Sequence, residues 1–268
     1  MRVAVVGHVE WVDFLHVQRA PRTGEIVQAN ASWQAAAGGG ADAAVQLRKL
    51  AGVATLYTAL GDDPLGRRAF DELSGRGLRV EVVWREEPQR RAVCFLDSAG
   101  ERTIALLGSK LVAEGVDPLP WDELADVDGV YFSGGDAAAL RAARRARVLV
   151  ASARELHVLR DAGVQLDVLI GSARDEAERY DGGLDPAPRY VVRTEGGSGG
   201  TVVPGGRFAP APLPGPLVDT YGAGDAFAAG LTFGLASGLP IAGALELAAR
   251  CGAAVLTGRG PYETQLTL

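Results

Sequence analysis

From about residue 127 to residue 194, short apolar runs alternate regularly with segments that have a helical pattern. The runs GVYFSG, RVLVAS, LDVLIG and RYVVRT are typical of buried strands. Between them stand DAAALRAARRA, a segment at about 154–162 and SARDEAERY, which we expect to be helices. Alternating strands and helices indicate a mostly parallel sheet, because each crossover helix must pass over one face. We therefore predict an α/β fold with a doubly wound sheet in three layers.

Two blocks of short, half-exposed strands interrupt this rhythm, at about 9–35 and 88–108. Both mix aromatic and β-branched residues with polar ones and contain turn signals, which is the pattern of a sheet with one solvated face. We expect the two blocks to form a small β-sheet lid that covers a ligand site or pairs with another subunit. The length suffices for one large core, so residues 1–268 are expected to form one domain.

The composition excludes several classes of partner. The net charge of −6 provides no broad basic field for nucleic acid. The two cysteines, Cys94 and Cys251, are far apart and lack CxxC spacing, which fits a reducing cytoplasm and excludes a disulfide framework. The first apolar run, at about 2–7, is too short for a signal peptide or a membrane span. We therefore expect a cytoplasmic protein without nucleic-acid or membrane partners.

Several common catalytic motifs are absent or stand in the wrong context. Neither Lys49 nor Lys110 belongs to a Walker A loop, and no HExxH occurs. The histidines show no metal spacing and are interpreted as surface or packed residues. GGSGG matches the GxSxG elbow of serine hydrolases, but a β-like run follows it where that elbow requires a helix. GGGAD stands roughly thirty residues after the first strand, too far along for a dinucleotide loop.

The segment DTYGAGDAFAAGL, at 219–231, places three small residues before an acid at an expected helix start. Such residues let successive backbone N–H groups point into one concavity, where the positive end of the helix dipole adds to them. An aspartate at the edge of that anion cradle can accept a proton from an attacking hydroxyl. The alternative is a capped turn without chemistry, and the pattern alone leaves both open.

At this motif the sequence resembles the PfkB family of carbohydrate kinases, which has the ribokinase-like fold, and the resemblance spans nearly the whole chain. The family signature DTxGAGD is matched in full at 219–225, and AFAAGL continues in the same manner. The glycine-rich signature GGxGAN is matched loosely by AGGGAD at 37–42. GDDPLG at 61–66, PRTGE at 21–25 and TEGGSG at 194–199 stand where the family has similar runs.

The resemblance implies transfer of the γ-phosphoryl group of ATP to a hydroxyl of a sugar or similar alcohol. It implies Asp225 as the general base and the amides of Gly222, Ala223 and Gly224 as an anion hole. It also implies Mg²⁺ and, as in some relatives, a monovalent cation such as K⁺ near Asp219. The residues implied at the nucleotide are Ser172, Thr194, Gly196, Gly199, Thr220 and Cys251, with Asp175 as the metal ligand.

The resemblance is weaker at the acceptor end. The residues implied to bind the acceptor are Glu10, Asp13, Gly38, Gly39 and Asp42. Here the family's NxxE appears as SARD, its asparagine in GGxGAN is an aspartate, and its N-x-D is replaced by EWVD. Because these replacements add acids, we expect a hydroxyl-rich or cationic acceptor rather than a sugar phosphate, which would require arginine or lysine.

Two other functions are compatible with these residues. One is a nucleoside or vitamin-precursor kinase of the same superfamily, which shares the phosphoryl-transfer end and differs only in the acceptor pocket. The other is a non-catalytic sugar- or nucleoside-binding protein that keeps the cradle, although the intact GAGD argues against it. A lid of this type can also pair two subunits into a homodimer.

Overall fold

The computed structural model of the protein describes residues 1–268. Thirteen strands and six α-helices follow in this order: β1 (Val3–Val6), β2 (Glu10–His16), β3 (Ala31–Ala37), α1 (Gly39–Ala51), β4 (Thr55–Gly61), α2 (Pro64–Gly75), β5 (Arg79–Arg85), β6 (Arg91–Leu96), β7 (Arg102–Leu107), β8 (Gly129–Phe132), α3 (Ala137–Ala143), β9 (Val148–Ser152), α4 (Leu156–Ala162), β10 (Val168–Ser172), β11 (Tyr190–Thr194), β12 (Gly200–Val203), β13 (Gly206–Phe208), α5 (Ala223–Ala236) and α6 (Ile241–Val255).

The predicted α/β architecture is confirmed. Nine strands form one sheet in the order β13-β12-β11-β10-β9-β8-β1-β4-β5, parallel except for the antiparallel edge strands β12 and β13. Successive residues of β1 alternate between its two faces. Val3 and Val5 pack in the core with α1, α5 and α6, whereas Ala4 and Val6 pack in the core with α3 and α4. Helices therefore cover both faces of the sheet, which gives three layers.

A second sheet of four strands, in the order β3-β2-β6-β7, forms the lid. Its strands come from the two predicted blocks, and β3 continues two residues beyond the first block to Ala37. The ring of Phe14 on β2 stacks on Trp33, with centroids 5.0 Å apart, and meets the edge of Tyr221 at 4.8 Å. The lid is thus packed directly against the segment that leads into α5.

One predicted helix is wrong. SARDEAERY, which follows β10, forms a loop with a single 3-10 turn at Glu176–Glu178. The Glu178 carboxylate folds back and accepts a hydrogen bond from the amide of Ser172 at 2.7 Å, and Asp175 accepts one from the amide of Ala177 at 3.0 Å. These side-chain acceptors satisfy the backbone in place of helical hydrogen bonds and keep two carboxylates at the end of the strand.

The parallel strands end at one edge of the main sheet. From β1 the sheet continues through β4 and β5 on one side and through β8, β9, β10 and β11 on the other, so the strand order reverses beside β1. Open α/β sheets bind ligands in the crevice outside the carboxyl ends of the strands at such a point. The lid lies above this edge. No helix of the structure is long and apolar enough to cross a bilayer.

Candidate active site

A cavity of about 1590 Å³ opens between the lid and the carboxyl ends of the parallel strands. It is lined by residues that follow β8, β9, β10 and β11, by the N-terminal turn of α5, and by Arg102, Ile104 and Leu106 of the lid. One continuous space therefore joins the segments that the sequence predicted at the nucleotide, at the acceptor and at the base.

The start of α5 forms one wall of this cavity. Gly222 precedes the helix in the left-handed conformation, with φ of 78°, and a Cβ there would lie 2.9 Å from Cβ of Pro261. The amides of Gly222, Ala223 and Gly224 donate to no acceptor within the protein. A Cβ at Gly224 would meet no atom within 4 Å. Three free donors and the helix dipole converge on open space, which is the arrangement that binds an anion.

Asp225 lies in the first turn of α5 and faces the same space. Oδ1 of Asp225 lies 3.1 Å from the position that a Cβ would occupy on Gly39. The absence of a side chain at Gly39 therefore lets the start of α1 lie close to Asp225. The carboxylate accepts no hydrogen bond from the protein. Burial raises the pKa of Asp225 to about 6, against the opposing charge of Arg102. At neutral pH the group is an ionised, unpartnered base.

Asp219 holds the segment before α5 in place. Its two carboxylate oxygens accept hydrogen bonds from the amides of Tyr221 at 2.7 Å and Gly260 at 2.6 Å. The residue is 2% exposed, and burial raises its pKa. No cationic side chain forms an ion pair with it. This carboxylate fixes the course of the chain into the anion-binding wall.

The predicted nucleotide residues lie along one side of the cavity. Those that line it are Ser172, Thr194, Gly196, Gly199 and Thr220. Asp175 also lines it and is ion-paired with Arg154. The same guanidinium lies 2.7 Å from Oε1 of Glu178. Sequence reasoning missed Glu178, because SARDEAERY was assigned to a helix.

At the opposite side, Glu10, Gly38 and Gly39 line the cavity as predicted positions for the acceptor. Glu10 is 6% exposed, and burial raises its pKa. His8, interpreted from sequence as a surface or packed residue, also faces this end, and its Nε2 is 3.8 Å from Glu10 Oε1. Burial lowers the pKa of His8 well below its ordinary value, so the imidazole is neutral.

Two basic side chains reach the acceptor end that sequence reasoning did not place there. Lys110 donates to the carbonyl oxygen of Ser133 at 3.1 Å and is ion-paired with the buried Glu155. Arg90 is 13% exposed, and its Nε lies 3.3 Å from Glu10 Oε1. The Arg90 guanidinium nonetheless donates no hydrogen bond within the protein, and its Nε is buried without an acceptor. This mostly buried guanidinium is ion-paired with Glu10 but keeps unused donors, which suits an anionic ligand.

Three predicted site residues lie outside the cavity. Asp13 lies on the outer face of the lid, where it accepts a hydrogen bond from Gln34 at 2.6 Å. Successive residues of a strand face opposite ways, so Glu10, three positions earlier on β2, lies on the inner face. Asp42 is fully buried beneath the start of α5, with neither carboxylate oxygen hydrogen-bonded. Cys251 is packed against Gly230 between α5 and α6.

A weak signal for the basic residues was present in the sequence. Lys110 is one of only two lysines and stands two residues after the second lid block, and Arg90 begins the predicted strand RRAVCFLD. Position at a strand end indicates proximity to the sheet edge but not which way a side chain points. The pattern therefore could not distinguish these residues from solvated surface charges.

Comparison with protein families decides the class of this site. The model for "pfkB family carbohydrate kinase" matches residues 1–180 and 140–268, which together span the chain. The chain belongs to the pfkB family of carbohydrate kinases. The predicted class of enzyme, a phosphotransferase with an alcohol group as acceptor, is thereby confirmed.

Relatives of this pfkB family member include several sugar kinases. An ATP-dependent ribose-1-phosphate kinase of Halopiger xanaduensis is 33% identical over 270 residues, which cover 94% of this chain and 91% of that protein. A fructokinase of Klebsiella pneumoniae is 29% identical over 87% of this chain and 91% of its own. A ribokinase of Arabidopsis thaliana, solved with ribose and ATP, matches with a TM-score of 0.78 at 19% identity, over 99% of this chain and 95% of its own. The predicted ribokinase-like fold is confirmed.

Proposed function

We propose that this pfkB family member transfers the γ-phosphoryl group of ATP to a hydroxyl of a phosphorylated sugar, with Asp225 as the general base. The observation that carries the reaction is the unpartnered carboxylate of Asp225 beside the unused amides of Gly222, Ala223 and Gly224. In the transfer, the acceptor oxygen bonds to phosphorus while its proton moves to Asp225. The bond from phosphorus to the bridging oxygen of ADP breaks, and its electron pair stays on ADP.

The anion hole supplies electrostatic stabilisation that needs no rearrangement. The three amides are already free of intramolecular acceptors, so they can donate to oxygens of the transferring group as charge develops. The αL conformation of Gly222 turns the chain so that these amides point the same way.

ATP would lie along Ser172, Thr194, Gly196, Gly199 and Thr220, which share one side of the cavity. The relative from Arabidopsis thaliana, solved with ribose and ATP, supports this choice of donor. Both cysteines are free and buried, which fits a reducing compartment, and we place the reaction in the cytoplasm.

Mg²⁺ fits the same side of the cavity. Asp175 and Glu178 present hard carboxylate oxygens there, and no cluster of three or more potential ligands forms an all-protein cage. Mg²⁺ takes one or two carboxylates and completes its shell with substrate phosphates and water. When bound, it would neutralise phosphate charge. Arg154, which is ion-paired with both carboxylates, would then be free to contact phosphate as well.

The acceptor class rests on Arg90. Its guanidinium is mostly buried and ion-paired with Glu10 through Nε, but it donates no hydrogen bond within the protein, so a bound dianion would accept two hydrogen bonds from it. Lys110 and the neutral His8 lie at the same end. The relative named as a ribose-1-phosphate kinase supports a pentose phosphate in particular. This proposal replaces the expectation of a neutral or cationic acceptor, which rested on the acids alone.

A monovalent cation such as K⁺ fits beside Asp219. That carboxylate is 2% exposed, accepts only two backbone hydrogen bonds and lacks a cationic partner, so a K⁺ ion would balance its charge. We expect faster turnover with K⁺ than with Na⁺ at equal ionic strength. Equal rates in the two salts would contradict the proposed K⁺ site beside Asp219.

A homodimer through the lid is the proposed assembly. β7 is an edge strand, all six of its residues are exposed, and Ile104, Leu106 and Leu107 are 40%, 52% and 44% exposed. An exposed apolar edge strand is a template for pairing with a second copy. Light scattering should give twice the 27.9 kDa chain mass. A Leu107→Lys variant, at the one of these three residues that does not line the cavity, should give the chain mass alone.

The proposed function is tested by ADP release with ATP, Mg²⁺ and a panel of ribose 1-phosphate, ribose 5-phosphate, ribose, fructose and adenosine. We expect kcat/KM for a phosphorylated pentose to exceed that for ribose. Arg90→Gln should lower kcat/KM for the phosphorylated acceptor by about 10²-fold while changing that for ribose little, since a charge-assisted bidentate contact contributes about 1.5–3 kcal/mol. Turnover of adenosine or ribose alone would refute the acceptor class. Absence of all turnover would favour the binding-protein alternative.

A further inference from the structure

Arg174 is an arginine without a partner on the nucleotide side of the cavity. It follows β10 in the SARD segment and lines the same space as Thr194 and Gly196. The hydrogen bond that it donates within the protein comes from its backbone amide, which lies 3.2 Å from Oγ of Ser172. Its guanidinium forms no ion pair and donates no hydrogen bond, in contrast to that of Arg154. All the N–H groups of this guanidinium are therefore available to a ligand.

The backbone holds this guanidinium across the ends of two neighbouring strands. Ser172 and Thr194 are register partners at the ends of β10 and β11, and the amide of Ala173 donates to the carbonyl oxygen of Thr194 at 2.9 Å. From there the side chain of Arg174 extends over the turn that follows β11. Its Cζ, Nη1 and Nη2 lie 3.0, 3.1 and 3.2 Å from the position that a Cβ would occupy on Gly196. This glycine, with φ of 62°, leaves room for a cation beside the residues proposed to bind ATP.

The charges on this side of the cavity favour a free cation there. Asp175, Glu176 and Glu178 all line it. ATP would add the negative charge of its triphosphate, which Mg²⁺ balances only in part. Arg154 also lines this side, but it is already ion-paired with Asp175 and Glu178. Arg174 is thus the cation here whose charge no carboxylate neutralises.

The neighbouring arginines differ from Arg174 in both position and partners. Arg174, Arg179 and Arg193 line a smaller cavity of about 390 Å³ beside the main one, and of the three only Arg174 lines both. Arg179 is ion-paired with Asp181 at 2.8 Å. Arg193 donates to the carbonyl oxygen of Tyr180. A ligand in the main cavity therefore meets Arg174 and neither of the others.

The distance of Arg174 from the base indicates which phosphates it reaches. The charges with the largest effects on the pKa of Asp225 include those of Arg102 and Arg154 but not that of Arg174. Arg174 lies instead against Gly196, on the nucleotide side of the cavity. With the γ-phosphoryl group in the anion hole at the start of α5, the remaining phosphates of ATP would extend toward this turn.

We propose that Arg174 binds the α- and β-phosphates of the nucleotide and determines its affinity. The inference rests on the proposed function only in placing a nucleotide on this side of the cavity. Arg174 forms no covalent bond and exchanges no proton, and its N–H groups donate to phosphate oxygens that stay on ADP. The contact is the same before, during and after the transfer, so it stabilises bound ATP and the transition state alike.

Calorimetric titration with ADP and Mg²⁺ tests the contact without an acceptor. Because Arg174 is exposed and has no partner, Arg174→Gln should keep the melting temperature of the wild type. Its Kd for ADP at low salt should be about tenfold higher, which is the lower end of the effect of a charge-assisted hydrogen bond. Arg174→Lys should recover part of the affinity, since an ammonium keeps the charge but not the planar fork. The difference between wild type and Arg174→Gln should shrink at high salt, because exposed charges are screened.

Arg179→Gln is the matched control for these titrations. Arg179 belongs to the same loop but lines only the smaller cavity and pairs with Asp181, so this variant should bind ADP as the wild type does. In steady-state kinetics, Arg174→Gln should raise KM for ATP about tenfold while kcat and KM for the acceptor change less than about threefold. A structural role for Arg174 would instead alter kcat or the melting temperature.

Equal ADP affinity in the wild type and Arg174→Gln at low salt would overturn the proposal, and so would an equal loss of affinity in Arg179→Gln. A wild type that binds no ADP would overturn it together with the proposed function. If the wild type binds ADP, Arg174→Gln binds it more weakly and no acceptor is phosphorylated, the assignment of Arg174 stands and the proposed acceptor chemistry alone fails.

Discussion

Replacement of Asp225 by asparagine should inactivate the enzyme and stabilise it. The side chain keeps its shape and loses its capacity to take a proton, so kcat should fall by about 10²–10⁴-fold. In the unfolded chain the carboxyl titrates at its ordinary pKa of 3.8, and in the folded chain burial raises the pKa to about 6. Between these values the folded protein binds more protons, so its stability falls as the pH rises through this interval.

The magnitude follows from the same two values. Their separation, at about 1.4 kcal/mol for each pH unit, makes the ionised carboxylate cost at most about 3 kcal/mol above pH 6. Part of the carboxylate faces water in the cavity, and solvent screening reduces this cost to about 1–2 kcal/mol. At roughly 2–4 °C for each kcal/mol, the Asp225→Asn variant should melt about 2–8 °C above wild type at pH 7.5.

The assay is thermal or urea unfolding of wild type and variant at pH 7.5 and at pH 4. At pH 7.5 the variant should be the more stable, and at pH 4 most of the difference should be gone, because the folded wild type then carries a neutral carboxyl at this position. Asp71→Asn serves as the control, since Asp71 is exposed on α2, away from the cavity, and should give no pH-dependent difference. Equal stability of wild type and Asp225→Asn at pH 7.5 would refute the argument that Asp225 is an ionised, desolvated base.

Three other substitutions test the local structure. Gly224→Ala should fold normally, because its Cβ meets no atom within 4 Å, but the methyl group projects into the anion hole and should lower kcat/KM at least about tenfold in the ADP-release assay. Gly222→Ala should destabilise the protein by about 1–3 kcal/mol in urea unfolding, since φ is 78° and Cβ would approach Pro261 to 2.9 Å. Asp63→Ala removes the acceptor for the amides of Leu65 and Gly66 at the start of α2 and for the amide of Gln89, so urea unfolding should show a loss of about 1–2 kcal/mol.

Much of the fold could be predicted from sequence because its determinants are local. The apolar runs of β8, β9 and β10 are almost entirely buried, which marks them as strands covered on both faces. Asp63 and Pro64 specify the start of α2 through a cap and a preset φ. The DTYGAGD segment likewise carries its own geometry, since the glycine at the αL position and the following helix start are consecutive in the chain.

The composition of the site depended on contacts between distant segments. Arg90 and Arg102 come from the lid, Lys110 from the segment that follows it and His8 from the turn after β1, and only the folded chain brings them to one cavity. The sequence alone led to a pocket dominated by acids. The structure adds the guanidinium of Arg90, which is ion-paired with Glu10 but donates no hydrogen bond within the protein, and this is the basis for proposing an anionic acceptor.

The sequence by itself determined the α/β layers and the phosphoryl-transfer motif, because period-2 and period-3.6 patterns and adjacent turn residues act over a few positions. The tertiary structure alone decided which side chains face the ligand. Asp13 points outward and Glu10 inward because they occupy odd and even positions of the same strand, which face opposite ways. Asp42 is buried under α5 and is not exposed to the cavity. The physical reason is that a side chain's direction depends on strand register and on packing against elements far away in sequence, which no local pattern records.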